Sequence, residues 1–121
     1  MISDIISIYE HTLTYGKAVE YKFSNGLLII YAEYMNFPTV DYRQVSGMYI
    51  WDVPIDYVSF DFNTPFLTHY INVHASPVSS GYMWQTYSNI SKTKFNSVSF
   101  GAMYQSSNFD TMSVTITGFW K

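Results

Sequence analysis

The chain has 121 residues, 48% of them hydrophobic and only 12% charged, which supplies the core of one folded domain and excludes a disordered segment. Its 12 Tyr, 9 Phe and 3 Trp favour pleated sheet over helix. The net charge is −3 and the cations (Lys17, Lys22, Arg43, Lys92, Lys94, Lys121) are scattered, so there is no basic footprint for nucleic acid; without cysteine there is no disulfide or thiolate metal site.

Residues 2–9 fit two patterns. Ile2, Ile5, Ile6 and Tyr9 would share a helical face, whereas Ile6, Ile8 and Thr12-Leu13-Thr14-Tyr15 read as strand. Extended structure from Ile5 to Tyr15 is the expectation. Met1-Ile2-Ser3-Asp4 lacks the basic region and apolar run of a signal peptide, and no stretch approaches the length of a membrane span. Tyr21 to Tyr31 predicts a hairpin, with Asn25 and Gly26 both at positive φ. Leu27 to Ile30 does not alternate, so burial on both faces is expected there.

Asn36 to Gly47 reads as a loop and Met48 to Trp51 as a short strand. Tyr57 to Phe62 alternates, with Val58, Phe60 and Phe62 on one face, before a break at Asn63-Thr64-Pro65. His69 to Ala75 is the next strand, and Ser76 to Gly81 a turn. Tyr82 to Tyr87 reads as a short strand and Lys94 to Tyr104 as a long one, with Val98, Phe100, Ala102 and Tyr104 on one side. After a turn at Gln105 to Asn108, Thr111 to Thr117 alternates most cleanly, with Met112, Val114 and Ile116 inward. About eight strands separated by short turns predict an all-β fold, an antiparallel β-sandwich in one domain spanning 1–121.

The chemistry points to binding and away from catalysis. There is no Gly-x-Ser-x-Gly elbow. Asp52 and Asp56 flank Pro54 and could converge as a glycosidase pair, but capping of turns is the plainer reading. His69 and His74 are five apart, so on a strand they would face opposite ways, and neither a metal nor another cofactor is expected. Sugars offer an apolar C–H face and a ring of hydroxyls, which proteins meet with aromatic faces and polar side chains. Two segments combine these residue types. One contributes Tyr49, Trp51 and Asp52; the other contributes Tyr82, Trp84, Tyr87 and Asn89. The competing reading is that aromatic residues at strand spacing simply fill the core.

Three stretches carry a family resemblance: Tyr21-Lys22-Phe23-Ser24-Asn25-Gly26, the segment from Val58 to Phe66 containing Pro65, and the closing Val114-Thr115-Ile116-Thr117-Gly118-Phe119-Trp120-Lys121. Together they resemble the C-terminal receptor-binding module of bacteriophage tail-fibre and minor structural proteins, especially those of phages infecting Gram-positive bacteria. The layout is also similar to the H-type lectin fold. That family's hairpin often carries Trp where this chain has Tyr21 and Phe23. The resemblance implies a homotrimeric fibre tip in the virion that attaches to host cell-surface carbohydrate without catalysis or membrane insertion. Residues 1–7 would then form a stub leading to a shaft. A structural tail or baseplate component that binds other phage proteins is the alternative, and a polysaccharide-degrading enzyme a weaker third.

Overall fold

The computed structural model describes residues 4–79, 82–104 and 109–121. Among them are ten strands and one helical turn: β1 (Ile5–Leu13), β2 (Gly16–Phe23), β3 (Leu27–Tyr34), β4 (Tyr42–Val45), β5 (Met48–Asp52), α1 (Ile55–Val58), β6 (Phe60–Asp61), β7 (Asn72–Pro77), β8 (Trp84–Ile90), β9 (Lys94–Ala102) and β10 (Met112–Phe119). They form two antiparallel five-stranded sheets packed as an all-β sandwich. The first sheet has the order β1-β2-β3-β10-β7. In the second, β9 is central: β5 and β6 pair with it, β8 pairs with it as well, and β4 lies outside β5.

The core follows the period-two patterns of the chain. Met112, Val114 and Ile116 of β10 are buried, as are Val98, Phe100 and Ala102 of β9. β3 adds Leu28, Ile30, Ala32 and Tyr34. Its alternate residues Leu27 and Ile29 are only half-buried, because among the described residues no second layer covers the outer face of this sheet. The expected two-sided burial is therefore one-sided. The buried Tyr34 hydroxyl donates to the Val58 carbonyl oxygen at 2.6 Å, and burial pushes its pKa up.

Several boundaries differ from expectation for local reasons. β4 falls inside the expected 36–47 loop, reversed into β5 through Ser46 and Gly47, both at positive φ. Tyr57 to Phe62 splits into α1 and β6 because the turn starting at Pro54 closes through the Ser59 N–H to the Ile55 carbonyl; Val58, Phe60 and Phe62 still point inward. β7 begins at Asn72 rather than His69, and β8 runs on to Ile90. β9 ends at Ala102, leaving Tyr104 exposed instead of inward. Residues 5–7 belong to β1. The expected turn at Gln105 to Asn108 lies outside the described residues, as do Ser80 and Gly81.

The β2–β3 hairpin turns differently from the expected type. Gly26 has φ +99°, whereas Asn25 is not at positive φ; its side-chain oxygen instead accepts from the Leu27 N–H at 3.0 Å. The Gly26 N–H donates to the Phe23 carbonyl at 3.1 Å, and a Cβ here would stand 2.9 Å from the Lys121 carbonyl oxygen. The C-terminus clamps this turn. The Trp120 indole N–H donates to the Phe23 carbonyl at 2.9 Å, its backbone N–H donates to the Gly26 carbonyl at 2.8 Å, and the Lys22 ammonium sits 4.1 Å from the indole centroid. Phe66 lies over Gly118, so the three sequence segments that carry the family resemblance meet at one end of the sandwich.

The two long sides of the sandwich are finished differently. On one, the Gln85 side chain of β8 reaches the backbone of β7: its amide oxygen accepts from the Ala75 N–H at 2.7 Å and its amide nitrogen donates to the Val73 carbonyl at 3.3 Å. It acts as a surrogate strand residue that joins the sheets. Near β1, Glu20 pins the sheets instead. This carboxylate is only 2% exposed; it accepts from the Asn63 N–H at 2.6 Å, from the Thr64 N–H at 3.1 Å, and pairs with His11 Nε2. His11 itself packs against Tyr9 and Phe60.

Candidate functional site

Residues directly opposite each other in an antiparallel pair lie on the same face, so the register of the second sheet maps its outer surface. Asp52 opposes Ser99, and Ser99 opposes Tyr87 on its other side. Two residues along, Ile50 opposes Gly101, and Gly101 opposes Trp84. One step the other way, Ser97 opposes Asn89. Two rows of outward-facing residues therefore span three strands, about 10 Å across at the usual strand spacing, and a third spans β8 and β9. Arg43 on β4 opposes Ile50 and reaches diagonally to Asp52.

The rows combine an aromatic side with a polar side. Trp84 is 41% exposed and Tyr87 is 61% exposed. The Trp84 indole lies on Gly101: a Cβ there would be 3.3 Å from two ring atoms and 2.8 Å from the Thr86 methyl carbon. Only a residue without a side chain lets the ring settle onto the sheet with one face free. A β-bulge between Gln85 and Tyr87 adds Thr86 to the row, turning Gln85 toward β7 while Tyr87 returns to the outer face.

Across the sheet, Arg43 Nε donates to Asp52 Oδ2 at 2.6 Å and its Nη2 donates more weakly to Oδ1 at 3.4 Å. The Ser99 hydroxyl donates to Oδ1 at 2.6 Å. Arg43 above all, with help from Ser99, holds the Asp52 carboxyl below its ordinary pKa against an opposing contribution from burial. The Arg43 pKa is raised in turn by the same partner.

Four of the seven residues expected to touch a ligand share this face: Asp52, Trp84, Tyr87 and Asn89. Tyr82 is 96% exposed but precedes β8 and belongs to no row. Trp51 and Tyr49 need correcting. They oppose Phe100 and Ala102 on the inner face, and Trp51 is 2% exposed, with Tyr42 and Tyr49 packed around it at ring separations of 5.6 and 6.4 Å. The Tyr-x-Trp spacing puts both rings inward once Asp52 faces out. Arg43, Ser99 and Gly101 escaped the sequence reading. The signal that could have revealed them is Ser97-x-Ser99-x-Gly101, small residues alternating with the inward Val98, Phe100 and Ala102.

The outer face of the first sheet is different. Recesses of about 330 and 200 Å³ adjoin at Tyr31 and Glu33, where the Tyr31 hydroxyl donates to Glu33 Oε1 at 3.1 Å. None of the residues expected to bind ligand lies there. His69 and His74 are both exposed, the packed histidine being His11. Among the described residues, no three His, Asp or Glu side chains gather to hold a metal ion, and no helix is long and apolar enough to cross a membrane. Comparison with protein-family models, curated proteins and solved structures returns no match.

Proposed function

We propose that this protein is a non-catalytic carbohydrate-binding domain, acting as the receptor-binding tip of a phage tail fibre. The observation that carries the binding part is the outer face of the second sheet. Trp84 and Tyr87 offer ring faces for sugar C–H groups, while Asn89, Ser97, Asp52 and Arg43 offer donors and acceptors for hydroxyls. The face is shallow, which suits the side of a long polymer better than a small metabolite. Shallow sites bind weakly, and linked copies compensate by raising effective concentration. The phage assignment, with a place in the virion and host-cell glycan as partner, rests on the family resemblance of the three sequence segments. So does the homotrimer.

The test is a glycan array run beside attachment to intact bacteria. Retention on defined glycans, lost on substitution of Trp84 and Tyr87 together, supports the reading; an array without retention defeats it. Light scattering tests assembly, since a species near 14.0 kDa would rule out the trimer.

One observation favours the second reading, a structural tail component that docks on other proteins. β1 is a nine-residue edge strand with Ile5, Ile6, Ile8 and Tyr9 exposed and no charge between Ile5 and Tyr9. Natural edges are usually blunted by charge or proline. Co-purification of partner virion proteins, lost when Ile6 and Ile8 become Lys, is the result that reading expects.

A further inference from the structure

We infer that the outer face of the second sheet takes a neutral glycan, with two adjacent sugar hydroxyls seated between the Asp52 carboxylate and the Arg43 guanidinium and the sugar's C–H face against Tyr87 and Trp84. This rests on the carbohydrate-binding reading and specifies its ligand chemistry. The polar half of the face has a definite inventory. A guanidinium has five N–H donors, and Arg43 directs only Nε and one Nη2 donor at Asp52. Each carboxylate oxygen accepts about two hydrogen bonds. Among the described residues, Oδ1 is engaged by Ser99 and Arg43, while Oδ2 receives only Arg43 Nε. A free acceptor therefore stands beside free donors, on two side chains that are each more than half exposed. One hydroxyl can donate to Oδ2 while its neighbour accepts from a guanidinium N–H.

The same geometry disfavours an anionic ligand. Asp52 and Arg43 cancel in charge, so a phosphate or uronate gains little net attraction. The guanidinium N–H groups that remain free lie beside the Asp52 carboxylate, and the Ser99 hydroxyl, itself nearly buried, tethers that carboxylate in place. An anion accepting from those N–H groups would face this fixed like charge at close range, whereas a neutral hydroxyl would not. The Asp52–Ser99–Tyr87 row sets the aromatic ring about 10 Å from the polar pair, so one short stretch of polymer can touch both.

The experiment uses the whole chain and two immobilised sets of probes. One set holds neutral gluco-, galacto- and rhamno-oligosaccharides; the other holds oligouronates and poly(glycerol phosphate). Asp52→Asn and Arg43→Gln are compared with the unaltered protein at about 50 and about 500 mM NaCl. Circular dichroism melting checks that both variants fold, as expected for an exposed pair of this kind. The expected result is retention on a neutral probe, Kd unchanged by salt, and each variant weakened about tenfold. Retention on an anionic probe, strengthened by Asp52→Asn, abolished by Arg43→Gln and weakened by salt, overturns the inference and leaves the carbohydrate reading standing. So does retention on a neutral probe that neither variant alters. Retention on no probe of either set defeats the carbohydrate reading, and this inference with it.

Discussion

Glu20→Ala should be among the most damaging single substitutions in this chain, although Glu20 lies far from the candidate site. The carboxylate is 2% exposed and holds the Asn63 N–H, the Thr64 N–H and His11 Nε2 between the sheets. Truncation strands these donors in a part-buried setting. Each unpaired donor costs about 1–2 kcal/mol, so the loss of all three contacts should cost roughly 3–5 kcal/mol. For a domain of this size 1 kcal/mol moves the midpoint by roughly 4 °C, so Tm should fall by about 12–20 °C. Glu20→Gln keeps the shape but replaces one acceptor with a donor facing another donor. It should cost less, about 1–3 kcal/mol. Thermal and urea unfolding followed by circular dichroism reads both. A fall in Tm below about 4 °C for Glu20→Ala would refute the argument, because it would mean that the 63–64 backbone finds other acceptors at little cost.

Other expectations follow from the same geometry. Trp51→Ala should cost about 3–5 kcal/mol, because the ring lies in the core; unchanged unfolding would put it back among the candidate ligand contacts. Tyr87→Ala should leave stability within about 0.5 kcal/mol while weakening retention on the glycan that binds, a separation that stability and array measurements read together. Tyr34→Phe leaves the Val58 carbonyl without its donor and should cost about 1–2 kcal/mol in urea unfolding. Acid has a calculable sign at Asp52. Its folded pKa is depressed, so what the ionised pair contributes is present above the ordinary carboxylate range, near 3.9, and is lost only as pH falls through the lower folded value. Binding should thus stay flat from neutral pH down to about 4.5, and a loss centred near pH 6 would assign control to a histidine instead.

The sequence by itself determined the strands whose two faces differ sharply. In Thr111 to Thr117, and from Val98 to Ala102, large apolar and small or polar residues alternate, and a period of two dictates which side goes inward whatever the neighbours. It also determined that a turn stands at Gly26. The turn type was decided elsewhere, because Trp120 and Lys121 return from the far end of the chain to clamp that hairpin. The division of the aromatic residues was likewise a tertiary matter. Tyr49-Ile50-Trp51 and Tyr82-Met83-Trp84 look alike as strings, yet one Trp fills the core and the other lies open on Gly101, because β5 and β8 pair with β9 in registers that no local pattern encodes. Asp52, Ser99 and Tyr87 form a row only because three strands distant in sequence align side by side. Burial depends on what covers a residue, and a chain read in one dimension shows which residues can be covered, but not which of them will be.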